Sequence, residues 1–255
     1  MNKNLLKRIV LTSAIAVLGV STSFAALVME RDQSVDTAPS VGMYRFEVPV
    51  ELQGTYNSAG VANLTASMEK EPNTLSMNVA HVKGNPSESY VVEIYKDLAA
   101  IETHRKSDHY QAFVNEVGSK LTNRKMYDVQ SVLLFEKKDA LSIVNDGKAV
   151  VTLTEFTVDS NEIDTVQRQY QLDMERAVRD DAGYKAGYVL RERNAKNRWY
   201  VIQIYSDQEA LTKHLNSPGY RFMMSQIQGS LQGVTTKVLD GDILFNHGGQ
   251  AFVRP

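Results

Sequence analysis

Apolar and polar positions along this chain fall into short blocks that predict a repeating order of strands and helices. Residues 43–50 read as a strand. Residues 56–70 read as a helix, with Val61, Leu64 and Met68 forming an apolar line at spacings of three and four. Two strands over 75–82 and 90–96 follow, separated by the turn signal Gly84-Asn85-Pro86. Asp97 is placed to cap a short helix to Arg105, Ser107 to cap another to Leu121, and residues 127–135 close as a strand. The order then returns. Asp159 with Glu162 is a capping-box-like start for a helix to Arg179, and Ser217-Pro218 puts a cap residue before a proline at the first helical position. Each unit therefore predicts β-α-β-β-α-α-β, a ferredoxin-like α+β sandwich with its second helix broken in two.

The two units are copies of one another. Tyr90 to Asp97 returns as Tyr200 to Asp207, and the same offset runs on through Ala100/Ala210, His104/His214, Ser107/Ser217 and Tyr110/Tyr220. Nine of these 21 paired positions are identical, where ordinary composition gives roughly one match. The offset extends to Phe46/Phe156 and Val48/Val158 upstream and to Leu121/Leu231, Leu134/Leu244 and Phe135/Phe245 downstream. This divides the chain into a first repeat over 43–138, a linker over 139–148, a second repeat over 149–247 and a tail over 248–255.

Strand alternation shows how the copies combine. Tyr90, Val92 and Ile94 share one face and Val91, Glu93 and Tyr95 the other, so both faces carry bulky residues. Helices cover only one face of such a sheet. The other face is expected to pack on the sheet of the sister repeat, giving an intrachain pseudo-dimer: two antiparallel sheets face to face in a closed α+β barrel.

Positions 1–25 have the layout of a secretory signal peptide: Lys3, Lys7 and Arg8, then the apolar stretch 9–20, then small residues before a cut after Ala25. Positions 26–42 read as a flexible leader. An exported, periplasmic protein is the expectation, without membrane insertion once the signal is removed. The chain has no cysteine, which excludes disulfides, thiolate metal sites, a cysteine nucleophile and a lipid-modified cysteine. Removing Lys3, Lys7 and Arg8 takes the formal charge from −2 to −5, and no basic stripe points to nucleic acid as a partner.

The block Glu71-Pro72-Asn73-Thr74-Leu75, followed by the strand Tyr90 to Tyr95, Asp97, His104 and the segment Ser107-Asp108-His109-Tyr110, resembles the antibiotic biosynthesis monooxygenase (ABM) family. The resemblance covers residues 43–135 and, more weakly, 153–245. It implies a dimeric α+β barrel, in agreement with the sheet argument. It also implies cofactor-free oxygenation of a quinol or small phenol, or haem degradation, with a small apolar or aromatic molecule and O2 as partners and no cofactor. Family members carry an aromatic residue facing the pocket at the position of Tyr95 and Tyr205. The haem-degrading branch carries an axial histidine where this chain has Val114 and Met224, which ranks haem binding or degradation below the other readings.

Oxygenation without metal or flavin needs a substrate that gives an electron to oxygen once deprotonated, and a protein base beside it. His104 and His214 are the first candidates, against the alternative that each only bonds carbonyls at a helix end. Tyr95 and Tyr205 offer a phenol, or else strand-end packing. Glu93 adds a carboxylate that Gln203 replaces in the second copy, and His109 has Gly219 as its counterpart. Spacing shows no His and carboxylate cluster for a metal, and His81 and His247 read as solvated. An enzyme and a non-catalytic binding protein for an apolar or aromatic ligand both remain open. The inequivalent pairs direct attention to the first repeat.

Overall fold

A computed structural model describes residues 38–255; the signal segment and the leader up to residue 37 lie outside the described residues. In the first repeat, β1 (Ser40–Glu47), α1 (Gln53–Lys70), β2 (Thr74–Val82), β3 (Asn85–Tyr95), α2 (Leu98–Lys106) and α3 (Asp108–Glu116) lead to β4 (Thr122–Tyr127) and β5 (Val129–Glu136). After β6 (Leu141–Val144), the second repeat runs β7 (Val150–Val158), α4 (Ile163–Asp180), β8 (Tyr184–Glu192), β9 (Arg198–Tyr205), α5 (Gln208–Asn216), α6 (Pro218–Ile227) and β10 (Leu231–Asn246), and β11 (Ala251–Val253) ends the chain. The β-α-β-β-α-α-β order holds in both copies, with the closing strand of the first divided into β4 and β5.

Local chemistry sets these boundaries. Asp97 accepts a hydrogen bond from the Ala100 amide at 2.9 Å and Asp207 from Ala210 at 2.8 Å, starting α2 and α5. Ser107 and Ser217 receive the Tyr110 and Tyr220 amides at 3.3 and 3.2 Å, starting α3 and α6. The predicted capping box at Asp159 does not form. Helix α4 starts at Ile163 with no side-chain cap, because the Glu162 amide bonds the Asp159 backbone carbonyl instead. The apolar line on α1 is also corrected. Val61 and Met68 are only half-buried, and the covered face carries Tyr56, Gly60, Asn63, Leu64 and Ser67.

The sheets of the two repeats are one sheet. The strand order is β11-β5-β8-β9-β7-β10-β2-β3-β1-β4, with β6 on β10. The C-terminal half of each closing strand leaves its own repeat: β5 pairs with β8, and Leu239–Asn246 of β10 with β2. Residues 127–135 are therefore not one strand. They divide at Asp128, since β4 belongs to β1 and β5 to the sister repeat. The path runs from β5, edged by β11, round to β4, and Asp128 alone separates those two strands in the chain, so the chain itself closes the ring.

Inside lie Val92, Ile94, Tyr127, Leu134, Ala186, Tyr188, Tyr200, Ile202 and Leu244, drawn from both repeats. Val132, Phe135, Phe156, Met174, Trp199 and Val201 pack outward under the helices of the second copy. At roughly 25 cal/mol per Å² of apolar surface, burial of two inner sheet faces is the largest favourable contribution to this architecture.

Three loop assignments change. Residues 40–42 open β1 and are buried rather than part of a leader. The linker contains β6, paired with β10, and the tail contains β11, paired with β5. These two short strands occupy matching places in the repeats and cover equivalent edges. Gly248 makes the tail's turn possible: its φ is +74°, and a Cβ there would lie 2.5 Å from the Lys138 carbonyl oxygen. The Asn246 side-chain oxygen ties linker and tail together by accepting the Leu141 and Gly248 amides, both at 3.0 Å.

A buried polar chain crosses the barrel end. The Tyr188 hydroxyl donates to Glu136 Oε1 at 2.8 Å and lies 3.1 Å from Ser76 Oγ, which receives the Asn78 amide at 2.8 Å. Burial pushes the Glu136 carboxyl from 4.5 up to about 7, against the opposing hydrogen bond from Tyr188. A carboxyl raised on folding contributes stability that is complete below pH 4.5 and lost as pH rises through 7. Glu136→Gln removes this titration. Wild type is expected to lose roughly 3 kcal/mol relative to the variant between pH 4.5 and 8. Parallel denaturant-unfolding profiles for the two proteins over that range would refute the assignment.

Candidate active site

The break between the second and third helices builds the site. Ser107 closes α2 through its amide and hydroxyl, both bonded to the His104 carbonyl at 3.0 and 2.7 Å, and at the same time caps α3. This joint folds α3 back, so the Tyr110 ring meets His104 edge-on at 4.8 Å. The same joint at Ser217 sets Tyr220 on His214 at 5.1 Å.

Glu71 enters from the end of α1. As the residue before Pro72 it is held extended, which stops the helix, and its carbonyl accepts the Thr74 amide at 2.9 Å. Its carboxylate receives the Thr74 hydroxyl at 2.8 Å, lies 3.1 and 3.2 Å from His104 Nδ1, and lies 2.7 Å from His109 Nε2. Burial raises the Glu71 carboxyl, but hydrogen bonds from His104, Thr74 and His109 outweigh it and hold it below the ordinary range.

The hydrogen bonds assign the His104 tautomer. The Ser67 hydroxyl donates to the Asn63 carbonyl at 2.9 Å, so its oxygen, 3.2 Å from Nδ1, faces the ring as an acceptor. Glu71 is also an acceptor, so Nδ1 carries a proton and Nε2 is the ring nitrogen left over. That Nε2 is buried and has no hydrogen-bond partner, and neither has the side-chain oxygen of Asn63. His104 does not bond terminal carbonyls through its ring, as the helix-end alternative required.

Sheet residues extend the site. Tyr95 is fully buried, with its ring 5.7 Å from His104 and its hydroxyl donating to Glu93 Oε2 at 3.0 Å. Gly42 lies opposite Glu93 in the β1–β3 pair, and a Cβ there would come within 3.1 Å of the Glu93 carboxylate and 2.8 Å of the Tyr44 ring. Burial raises the Glu93 carboxyl, only partly offset by His104, the Tyr95 hydroxyl and Arg105. Arg105 is bonded to Tyr44 and coupled to Tyr110. Tyr44, Glu93, Arg105 and Tyr110, all partly exposed, thus lie around the buried His104.

The second copy uses the same frame differently. Tyr205 and His214 come together at 5.6 Å, but both nitrogens of His214 face protein groups: Nδ1 lies 2.9 Å from Asp181, and Nε2 lies 3.4 Å from both Asp173 and the Gln203 amide nitrogen. Asp173 and Asp181 replace Asn63 and Glu71. Arg176 bonds Asp181 at 2.8 and 3.1 Å, Asp173 at 3.1 Å and Ser217 at 3.2 Å, and its stem fills the space over Gly219. Tyr184, the counterpart of Thr74, adds a ring 5.1 Å from His214.

Of the six candidate residues, His104, Tyr95, Glu93 and His109 meet in the first copy, while His214 and Tyr205 meet in a locked second copy. Sequence reasoning missed Asn63, Ser67 and Glu71, whose spacing of four along α1 was their signal. It also missed a cluster: ligand atoms of Glu71, His104 and His109 lie within 4.8 Å of one another. His81 and His247 have partners too, Asp242 at 2.8 Å and the Thr74 carbonyl at 3.1 Å. Met224 packs against the core cluster of the second copy.

The fold and site define a tandem form of the dimeric α+β barrel, with one polar site under the broken helix of each half. The chain belongs to the antibiotic biosynthesis monooxygenase family, whose model matches it twice, at residues 41–116 and 149–225. A candidate monooxygenase from Lactobacillus acidophilus NCFM superposes with a TM-score of 0.78 at 19% identity, covering 84% of this chain and 99% of its own. Another from Fusobacterium nucleatum gives 0.76 at 20%, covering 86% and 100%. An anthrone oxidase-like protein gives 0.52 at 11%, covering 87% and 98%. At these identities the likeness concerns the fold. No protein of curated function matches the sequence.

Asp173 is 3% exposed and faces both Arg176 and His214. Asp173→Ala strips one carboxylate from that buried network and is expected to cost roughly 3 kcal/mol in denaturant unfolding. A loss below about 0.5 kcal/mol would contradict the locked reading of the second copy.

Proposed function

We propose that the first copy is a cofactor-independent monooxygenase site for a quinol or small phenolic substrate, in an exported protein as the N-terminal segment suggests. One observation carries this reading: His104 Nε2 is buried without a protein partner, while its Nδ1 proton is held by Glu71. A carboxylate on one ring nitrogen and a free lone pair on the other is the arrangement of an oriented general base. A phenolic hydroxyl donating to Nε2 also satisfies the acceptor that burial leaves unpaired, and the Asn63 oxygen is a second such acceptor.

The chemistry then follows from the substrate. Proton transfer to Nε2 leaves a phenolate that can donate an electron to O2, and the oxygenated product forms with loss of water. Arg105, partly exposed beside Glu93, supplies positive charge where the substrate gains negative charge. Tyr110, partly exposed beside His104, offers a ring to an aromatic substrate, and the buried Tyr95 packs behind that histidine. The second copy lacks a free base, since Asp173 and Gln203 face His214 Nε2.

Oxygen uptake with anthrone or a reduced naphthoquinol tests this. His104→Ala is expected to lower the rate about 10²- to 10⁴-fold, the usual worth of a general base, and His214→Ala to retain it in the folded fraction. Wild-type uptake no faster than the spontaneous rate with every phenolic tried would end the oxygenase reading. Equal losses in the two variants would remove the assignment to the first copy.

A further inference from the structure

We propose that Glu71, His104 and His109 form a binding site for one divalent transition-metal ion of the zinc type. The site would use His104 Nδ1, His109 Nε2 and a Glu71 carboxylate oxygen, atoms within 4.8 Å of one another. The carboxylate already lies 3.1 Å from one nitrogen and 2.7 Å from the other. Ligands about 2.0–2.2 Å from a shared tetrahedral ion stand roughly 3.3–3.5 Å apart, so modest side-chain rotation brings the set to ligating geometry. Two imidazoles with one carboxylate suit zinc or cobalt and leave a fourth position open. Entry is from the His109 side, which is 14% exposed against 1% for His104.

The second copy supplies an independent argument, because there the same corner contains a cation. Asp181 and His214 keep two of the three positions, and Gly219 stands where His109 would be. Arg176 places its guanidinium on Asp181 and fills the space over that glycine. The first copy has Ala66 at the position of Arg176 and so brings no such cation. It has His109 in its place, a ligand rather than a permanent charge. One corner thus neutralises its carboxylate with a covalently attached cation, and the other presents donors for a bound one.

A metal on Nδ1 displaces the proton that Glu71 holds there, and for the ring to stay a neutral ligand that proton moves to Nε2 and occupies its lone pair. Metal binding and the base role of His104 therefore exclude each other, which makes the ion an inhibitor of the proposed oxygenation. The metal site does not depend on that oxygenation.

Purified protein stripped with a chelator should be titrated with ZnCl2 by calorimetry and thermal unfolding, and with CoCl2 by visible absorption. The expected result is one ion per chain, a raised melting temperature and the d–d bands of a four-coordinate Co2+ site. His109→Ala and Glu71→Gln should each weaken binding by at least the roughly 10- to 100-fold that loss of a supporting partner costs a metal site. His109 lies near the surface, so its variant remains informative if Glu71→Gln unfolds. No zinc or cobalt uptake by wild type at submillimolar metal overturns the proposal, as does undiminished binding by His109→Ala. Metal binding by a protein whose metal-free form shows no oxygenase activity would strike only the base reading, and oxygenase activity of the metal-free form without metal binding only this one.

Discussion

The structure depends on one constraint: each repeat's sheet has two apolar faces and its own helices cover only one. Val92 and Ile94 on β3, and Ile202 and Ile204 on β9, would otherwise meet water. Packing the sheets together buries them, and exchange of β5 and the end of β10 removes the open edges that such sheets would leave. The short strands β6 and β11 complete the edge cover.

This barrel fixes two equivalent sites on its outer face, and the copies have used them differently. In both, a serine joint folds one helix back over a histidine that ends the other. The second copy surrounds its histidine with Asp173, Asp181, Arg176 and Tyr184 and leaves it no free nitrogen. The first keeps smaller or neutral groups there, Asn63, Ala66 and Thr74, and so retains a buried nitrogen without a partner.

Much of this was legible in the chain. The constant offset between the copies, the caps at Asp97, Ser107, Asp207 and Ser217, and the two-faced strands depend on neighbours in sequence or on simple periodicity. The histidine and tyrosine pairs stood out because both copies retain them. The α1 face was misread because Val61 and Met68 looked like its apolar line, whereas Asn63 and Ser67 are what burial demanded. A polar residue belongs on a buried face only when a partner waits there, and His104 and Glu71 are distant in sequence.

What the sequence by itself determined is the repeated element order, the apolar faces and the residues the copies share, because these follow from period and local hydrogen bonding. The tertiary structure alone decided where the closing strands pair, why the linker and tail are strands, and which histidine nitrogen is free. Those outcomes rest on contacts between groups far apart in the chain: Glu71 with His104 and His109, Arg176 with Ser217 beside Gly219, and β5 with β8 across the two repeats.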